Sequence, residues 1–162
     1  CPVTTIGEEA FIYCNWVTSI TIPDSVTTIC TGAFTACSSL ISIIIPNSVT
    51  SLGNYAFQDC GNLQTVTLPE GITTISEGLF YYCGSLSSVA IPDSVTIIGA
   101  NAFYCCSSLT SINIPISVIN IGAFALALLL TKKLPGTNIF RTIFFILLQE
   151  FWKNFVVGFH KF

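Results

Sequence analysis

The sequence lacks methionine, has one histidine, His160, and holds no lysine or arginine before residue 132. Each absence excludes something. Without clustered basic side chains the first 131 residues cannot track a phosphate backbone, so nucleic acid is excluded as their partner. Nucleophilic catalysis needs a base within reach of a serine or cysteine. The same stretch offers many serines but no His, Lys or Arg, so the protein is read as no enzyme and no catalytic residue is assigned. Neither a Gly-x4-Gly-Lys phosphate loop nor a dinucleotide fingerprint occurs, so no cofactor is expected. Eleven Gly and seven Pro in 162 residues are too few for collagen or a flexible linker. A basic leader with an apolar core and a small-residue cleavage site is missing, and with no Met the chain is read as a fragment or a processed product. Charged residues make up 8%, against roughly 25% in an ordinary soluble domain, while 52% are hydrophobic, which is too apolar for a disordered chain.

The acids divide the chain as sharply as the bases do. Glu8, Glu9, Asp24, Asp59, Glu70, Glu77 and Asp93 precede residue 131, whereas Lys132, Lys133, Arg141, Lys153 and Lys161 follow it with Glu150. Such an asymmetry argues for two different segments. The first is repetitive. Pro23, Pro46, Pro69, Pro92 and Pro115 are 23 residues apart, as are Phe11, Phe34, Phe57, Phe80 and Phe103. Cys14, Cys37, Cys60, Cys83 and Cys106 keep the same step, and so do several aliphatic columns, among them Ile20, Ile43, Val66, Val89 and Ile112. Many independent positions in one register mark an internal repeat.

Within a unit the apolar spacing changes. Leu40, Ile43 and Ile45 end in a two-residue step before Pro46, the pattern of a short strand that the proline terminates. From Gly53 to Cys60 the spacing of Ala56, Phe57 and Cys60 predicts one turn of helix. One such coil cannot cover its own apolar side chains, so coils must stack into a solenoid.

A unit reading Leu-x-x-Ile-x-Ile-Pro-x-Ser-Val-x-x-Ile-Gly-x-x-Ala-Phe-x-x-Cys, nearly whole from Leu40 to Cys60 and from Leu86 to Cys106, resembles the BspA-like leucine-rich repeat family. Ser76 and Cys30 depart from it where Gly7, Gly53 and Gly99 stand, and Leu79 replaces an alanine. The resemblance implies an α/β leucine-rich-repeat solenoid, right-handed, with a parallel sheet on one face and short helical turns opposite. It also implies a cell-surface or secreted protein that binds other proteins.

On that fold, residues alternating with the buried strand positions form the outward sheet face. Ser19, Ser42, Thr65, Ser88 and Ser111 make one column, and Thr21, Ile44, Thr67, Ala90 and Asn113 the next. The hydroxyl and amide members, Ser19, Thr21, Ser42, Thr65, Thr67, Ser88, Ser111 and Asn113, are the candidate binding face for a protein or glycan. Read structurally, the same face is a solvated sheet with cross-strand hydroxyl pairs. The phenylalanine and cysteine columns are structural ladders, the thiols acting as small apolar groups. No metal site is assigned: the repeats lack histidine and no Cys-x2–4-Cys pair exists. Asp24, Asn47, Glu70 and Asp93, each following a proline, read as solvated turn residues. Trp16, Tyr13 and Tyr82 are weak surface candidates, and a spacer with no ligand of its own is the alternative function.

The expected division is a solenoid over 1–121, a degenerate repeat and linker over 122–136, and a tail over 137–162. After Gly122 the spacing falters, because Ala123 and Phe124 arrive two residues early. In the tail, Asn138, Thr142, Gln149, Lys153 and His160 recur at helical steps beside a wide apolar face, predicting a C-terminal amphipathic helix. Arg141, Gln149, Glu150 and Lys153 interrupt it too often for a membrane span. Three readings stay open: a cap on the last coil, a helix on a membrane surface, which is not the favoured one, or a stretch outside the selected fold, as a shifted reading frame would give.

Overall fold

Short segments in which Ile, Val or Leu alternates with Ser or Thr have one apolar face to bury, and each does so against the same segment one repeat away. The computed structural model describes residues 2–127. Its elements are ten short strands: β1 (Thr5–Ile6), β2 (Ser19–Thr21), β3 (Thr28–Ile29), β4 (Ser42–Ile44), β5 (Ser51–Leu52), β6 (Thr65–Thr67), β7 (Thr74–Ile75), β8 (Ser88–Val89), β9 (Ile97–Ile98) and β10 (Asn120–Ile121). All pairings are parallel and join residues 23 apart, such as Ser19 with Ser42 and Ile43 with Val66. One sheet has the order β2-β4-β6-β8, and a bridge between Ala90 and Asn113 continues its line. The chain is therefore a parallel-strand solenoid of stacked coils, here numbered first to fifth by Phe11, Phe34, Phe57, Phe80 and Phe103.

Between the proline and the turn runs a second short strand, such as Thr28–Ile29 and Ser51–Leu52. It forms the rows β1-β3-β5 and β7-β9-β10, which are separate sheets. The interruption falls at Ser76, whose hydroxyl donates to the Leu52 carbonyl. At the equivalent step the backbone amides of Cys30, Gly53, Gly99 and Gly122 donate to Ile6, Ile29, Ile75 and Ile98.

The expected helical turns are not helices. In the second coil the amides of Ala33, Thr35 and Cys37 donate to carbonyls three residues back, at 3.3, 2.9 and 3.2 Å. Those of Gly32, Phe34 and Ala36 donate instead to Asn54, Ala56 and Gln58 of the next coil, at 3.0, 2.8 and 2.7 Å. An α-helix needs every interior amide for its own turn, and here alternate ones serve the neighbouring coil. Left-handed backbone at Gly32 (φ 64°) and Ala36 (φ 58°), repeated at Gly78 and Tyr82 in the fourth coil, also stops a right-handed helix from propagating.

The register does not fail after Gly122. Asn101 and Phe103 donate to the carbonyls of Ala123 and Ala125, so the next coil begins on schedule. Phe124 is no displaced ladder ring: it occupies the left-handed column at φ 58° and is exposed, while buried Leu126 takes the phenylalanine slot. The expected C-terminal amphipathic helix lies outside the described residues.

Two ladders fill the interior. Successive phenylalanine rings stack at 5.2 Å from Phe11 to Phe34 and from Phe34 to Phe57, then at 5.8 and 5.6 Å to Phe80 and Phe103. Phe34, Phe57 and Phe80 are wholly buried. Beside them the thiols of Cys37, Cys60, Cys83 and Cys106 donate to the carbonyls of Phe11, Phe34, Phe57 and Phe80, at 3.0–3.2 Å. The carbonyls of Phe11, Phe34 and Phe80 also accept the amide of the cysteine three residues on, as Phe34 does from Cys37. A thiol therefore fills an apolar slot and supplies a second, weak donor to a buried carbonyl. Burial pushes the Cys37 thiol up to about 11 and those of Cys60 and Cys106 up to about 12, with Cys83 raised as well. Adjacent coils approach closely at Gly53, where a Cβ would lie 2.3 Å from the backbone of Cys30 and Thr31.

Phe57→Ala removes one ring from a continuous stack and is expected to lower stability by about 3–5 kcal/mol in denaturant unfolding. Gly53→Ala is expected to cost roughly 1–3 kcal/mol, because backbone must shift to admit the methyl group. Native protein at pH 8 is expected to leave Cys37, Cys60, Cys83 and Cys106 unmodified by a thiol reagent that reaches the half-exposed Cys14, Cys30 and Cys105. Since the unfolded chain releases these protons near the ordinary value of 9.0 and the folded chain only near 11 to 12, stability is full below pH 9 and falls as pH rises towards 12. Denaturant midpoints measured across that range check the sign.

Candidate binding surfaces

The first surface is the face of the β2-β4-β6-β8 sheet. Ile43, Val66 and Val89 point inward and are buried, so their strand neighbours must point outward. Ser19, Ser42, Thr65 and Ser88 follow one another in register, and Thr21, Ile44 and Thr67 form the adjacent file. Ser111 and Asn113 lie one repeat further, Asn113 bridged to Ala90. All eight residues of the expected face are exposed and share one side of the molecule. Ile44 stands among them 70% exposed.

Some hydroxyls elsewhere on the solenoid are committed to its backbone. Those of Thr27, Thr50 and Thr96 donate to the carbonyls of Thr4, Thr27 and Thr73, at 3.3, 3.5 and 3.2 Å. Ser94 and Ser117 donate to Ile72 and Val95, at 2.6 and 2.7 Å. On the sheet face, by contrast, the hydroxyls of Ser19, Thr21, Ser42, Thr65, Thr67, Ser88 and Ser111 have no hydrogen-bond partner among the described residues.

The second surface lies on the turns of the third to fifth coils. Tyr81 stacks on Tyr104 with centroids 5.2 Å apart and planes 14° from parallel. Tyr82 meets Tyr81 and Tyr104 edgewise at 4.6 and 5.9 Å, and Tyr55 meets Tyr81 edgewise at 6.3 Å. The Tyr55 ring lies over Gly78, where a Cβ would sit 2.1 Å from it, and its phenol donates to Glu77 Oε1 at 2.7 Å. That bond to the carboxylate raises the Tyr55 phenol above its usual range, and the neighbouring Cys105 thiol, then Tyr81, raise that of Tyr82. Both remain protonated at neutral pH.

Only Tyr82 of this cluster stood out in the sequence; Tyr55, Tyr81 and Tyr104 were missed. The signal was present, because a 23-residue step joins Tyr81 to Tyr104 and Asp59 to Tyr82. Tyr13 and Trp16 are exposed on the first coil and make no ring contact with this cluster or with each other. An apolar hollow of about 360 Å³ opens at the first coil, lined by Val3, Ile6, Phe11, Ile20, Ile22 and Val26 among others. It is the bare cross-section of the core, made from columns that are buried one coil later. Of the turn residues after the prolines, Asn47 Oδ1 accepts the Glu70 amide at 3.0 Å. Among the described residues no three His, Cys, Asp or Glu side chains gather to hold a metal ion, and no helix is long and apolar enough to cross a membrane.

A leucine-rich cell surface protein from Faecalibacterium prausnitzii is 36% identical, over 66% of this chain and 32% of that one, with a TM-score of 0.62. A leucine-rich repeat protein of T. pallidum is 34% identical over 67% of this chain and 53% of its own, with a TM-score of 0.65. One from Eubacterium ventriosum is 28% identical over 76% and 40%, at 0.66. The chain thus spans about a third to a half of the length of these proteins. No curated protein matches it. The model of the BspA type leucine-rich repeat region matches residues 4–129 in six copies, and the chain belongs to that family.

Proposed function

We propose that the chain is a non-catalytic binding module, part of a larger surface or secreted repeat protein, that takes a protein or a glycan on its sheet face. The observation that carries this reading is the array of seven hydroxyls on the sheet face, which are exposed, stand in register and have no hydrogen-bond partner among the described residues. Seven donors and acceptors, fixed at about 4.8 Å spacing by the strand ladder, can pair with the polar edge of a partner without breaking any internal bond. Ile44 supplies an apolar contact between Thr21 and Thr67. Family membership supports a repeat module, and the Faecalibacterium relative is described as a cell surface protein. Leucine-rich repeats are generally scaffolds, and a function grafted on a scaffold must be argued from its surface.

The test is direct binding of the purified chain to arrays of neutral glycans and of purified extracellular proteins, alongside Thr65→Arg/Thr67→Arg. Both substitutions are at exposed positions, so stability should stay within about 0.5 kcal/mol. The expected result is a saturable signal that the double variant reduces at least tenfold. No signal on either array, or one that the variant leaves unchanged, would make these coils spacers.

A further inference from the structure

The tyrosine cluster on the turns of the third to fifth coils is not something the repeat requires. The column of Tyr81 and Tyr104 holds Ile12, Thr35 and Gln58 in the other coils, and that of Tyr82 holds Tyr13, which joins no ring cluster, with Ala36, Asp59 and Cys105. The coils stack equally well where these positions carry smaller side chains. Tyr55 and Tyr82 occupy the two left-handed columns that recur in every coil, which hold Glu9, Gly32, Gly78, Asn101 and Phe124 beside Tyr55 and Tyr13, Ala36, Asp59 and Cys105 beside Tyr82.

Those rings are held in fixed orientations. Tyr55 rests on Gly78 and is tied to Glu77, Tyr81 is flanked by Tyr55, Tyr82 and Tyr104, and Tyr82 is 47% exposed. Two carboxylates share the patch. Glu77 is bound through Oε1 alone, and Asp59, whose Oδ2 accepts from Gln58 Nε2 at 2.9 Å, lies one repeat below Tyr82. Residues 2–127 carry seven acids and no Lys or Arg, so nothing among them neutralises these charges and the field over the patch is negative. Ring faces with nearby carboxylates in a negative field select a cation. Guanidinium fits best, since it can stack flat on tyrosine while pairing with a carboxylate.

We propose that the patch formed by Tyr55, Asp59, Glu77, Tyr81, Tyr82 and Tyr104 docks an arginine- or lysine-bearing segment of a protein partner. This is a second surface, on the turns, separate from the sheet face. A neutral glycan would use the rings but gain nothing from the field, and a phosphorylated or acidic segment would be repelled.

The test uses the full chain with a fluorescein-labelled hexa-arginine peptide, followed by fluorescence anisotropy in 150 mM salt. Hexaglutamate and a neutral hexasaccharide are compared by calorimetry. Saturable binding of the arginine peptide alone is expected. Asp59→Asn/Glu77→Gln and Tyr82→Ala/Tyr104→Ala should each weaken it about tenfold, whereas Glu70→Gln/Asp93→Asn, which removes the same charge elsewhere, should change it less than twofold. The single Tyr82→Ser, at an exposed position, covers the case in which the double tyrosine variant unfolds, and should weaken binding about threefold. Equal losses from the two charge pairs, an unaffected tyrosine variant that remains folded, preference for the saccharide, or no saturable binding would overturn the proposal.

Discussion

Everything in this molecule depends on the sharing of backbone amides between coils. Along each turn one amide closes the chain on itself and the next reaches the neighbouring coil, so a coil is only half satisfied by its own atoms. The same step then aligns the interior. Phenylalanine meets phenylalanine, and each cysteine thiol meets the carbonyl of the phenylalanine below it. Neither ladder would hold if the amides bonded within their own turn, because the coils would lose their common repeat distance. A chain with 52% hydrophobic residues stays folded by this route without a layer of charged side chains around it.

Much of the architecture was legible, and the reason is translational. A side chain stacked on its own kind must recur at the coil length, so Pro23 to Pro115 and Phe11 to Phe103 disclosed the period, and the alternation around Ile43 and Val66 disclosed which strand face is buried. What was misread lies where one coil considered alone is ambiguous. Ala56, Phe57 and Cys60 have a helical spacing, but spacing reports which side chains share a face and not where the amides go. The left-handed residues that prevent a helix include Ala36, Tyr55 and Tyr82, types that give no warning of it. The second strand row was overlooked because its strands are two residues long. The apparent slip after Gly122 arose from taking Phe124 for a ladder ring when Leu126 fills that slot.

The candidate surfaces divide similarly. The outward sheet face followed from alternation, and all eight of its expected residues are exposed there. The uncommitted state of its hydroxyls did not follow, since a sequence does not say whether Thr27 or Thr65 bonds to a carbonyl. The tyrosine patch joins residues as far apart as Tyr55 and Tyr104, and it becomes visible only when the coils are laid over one another.

The split ownership of amides also governs how such a chain can change length. Removing or adding a whole unit of 23 residues keeps the turn amides facing carbonyls and the phenylalanine and cysteine ladders in line at the new junction, because those features recur in each unit. Gaining or losing one residue inside a coil shifts every later position by a fraction of the period, exposing phenylalanine and burying threonine. The length of such a solenoid therefore takes discrete values set by the number of its windings.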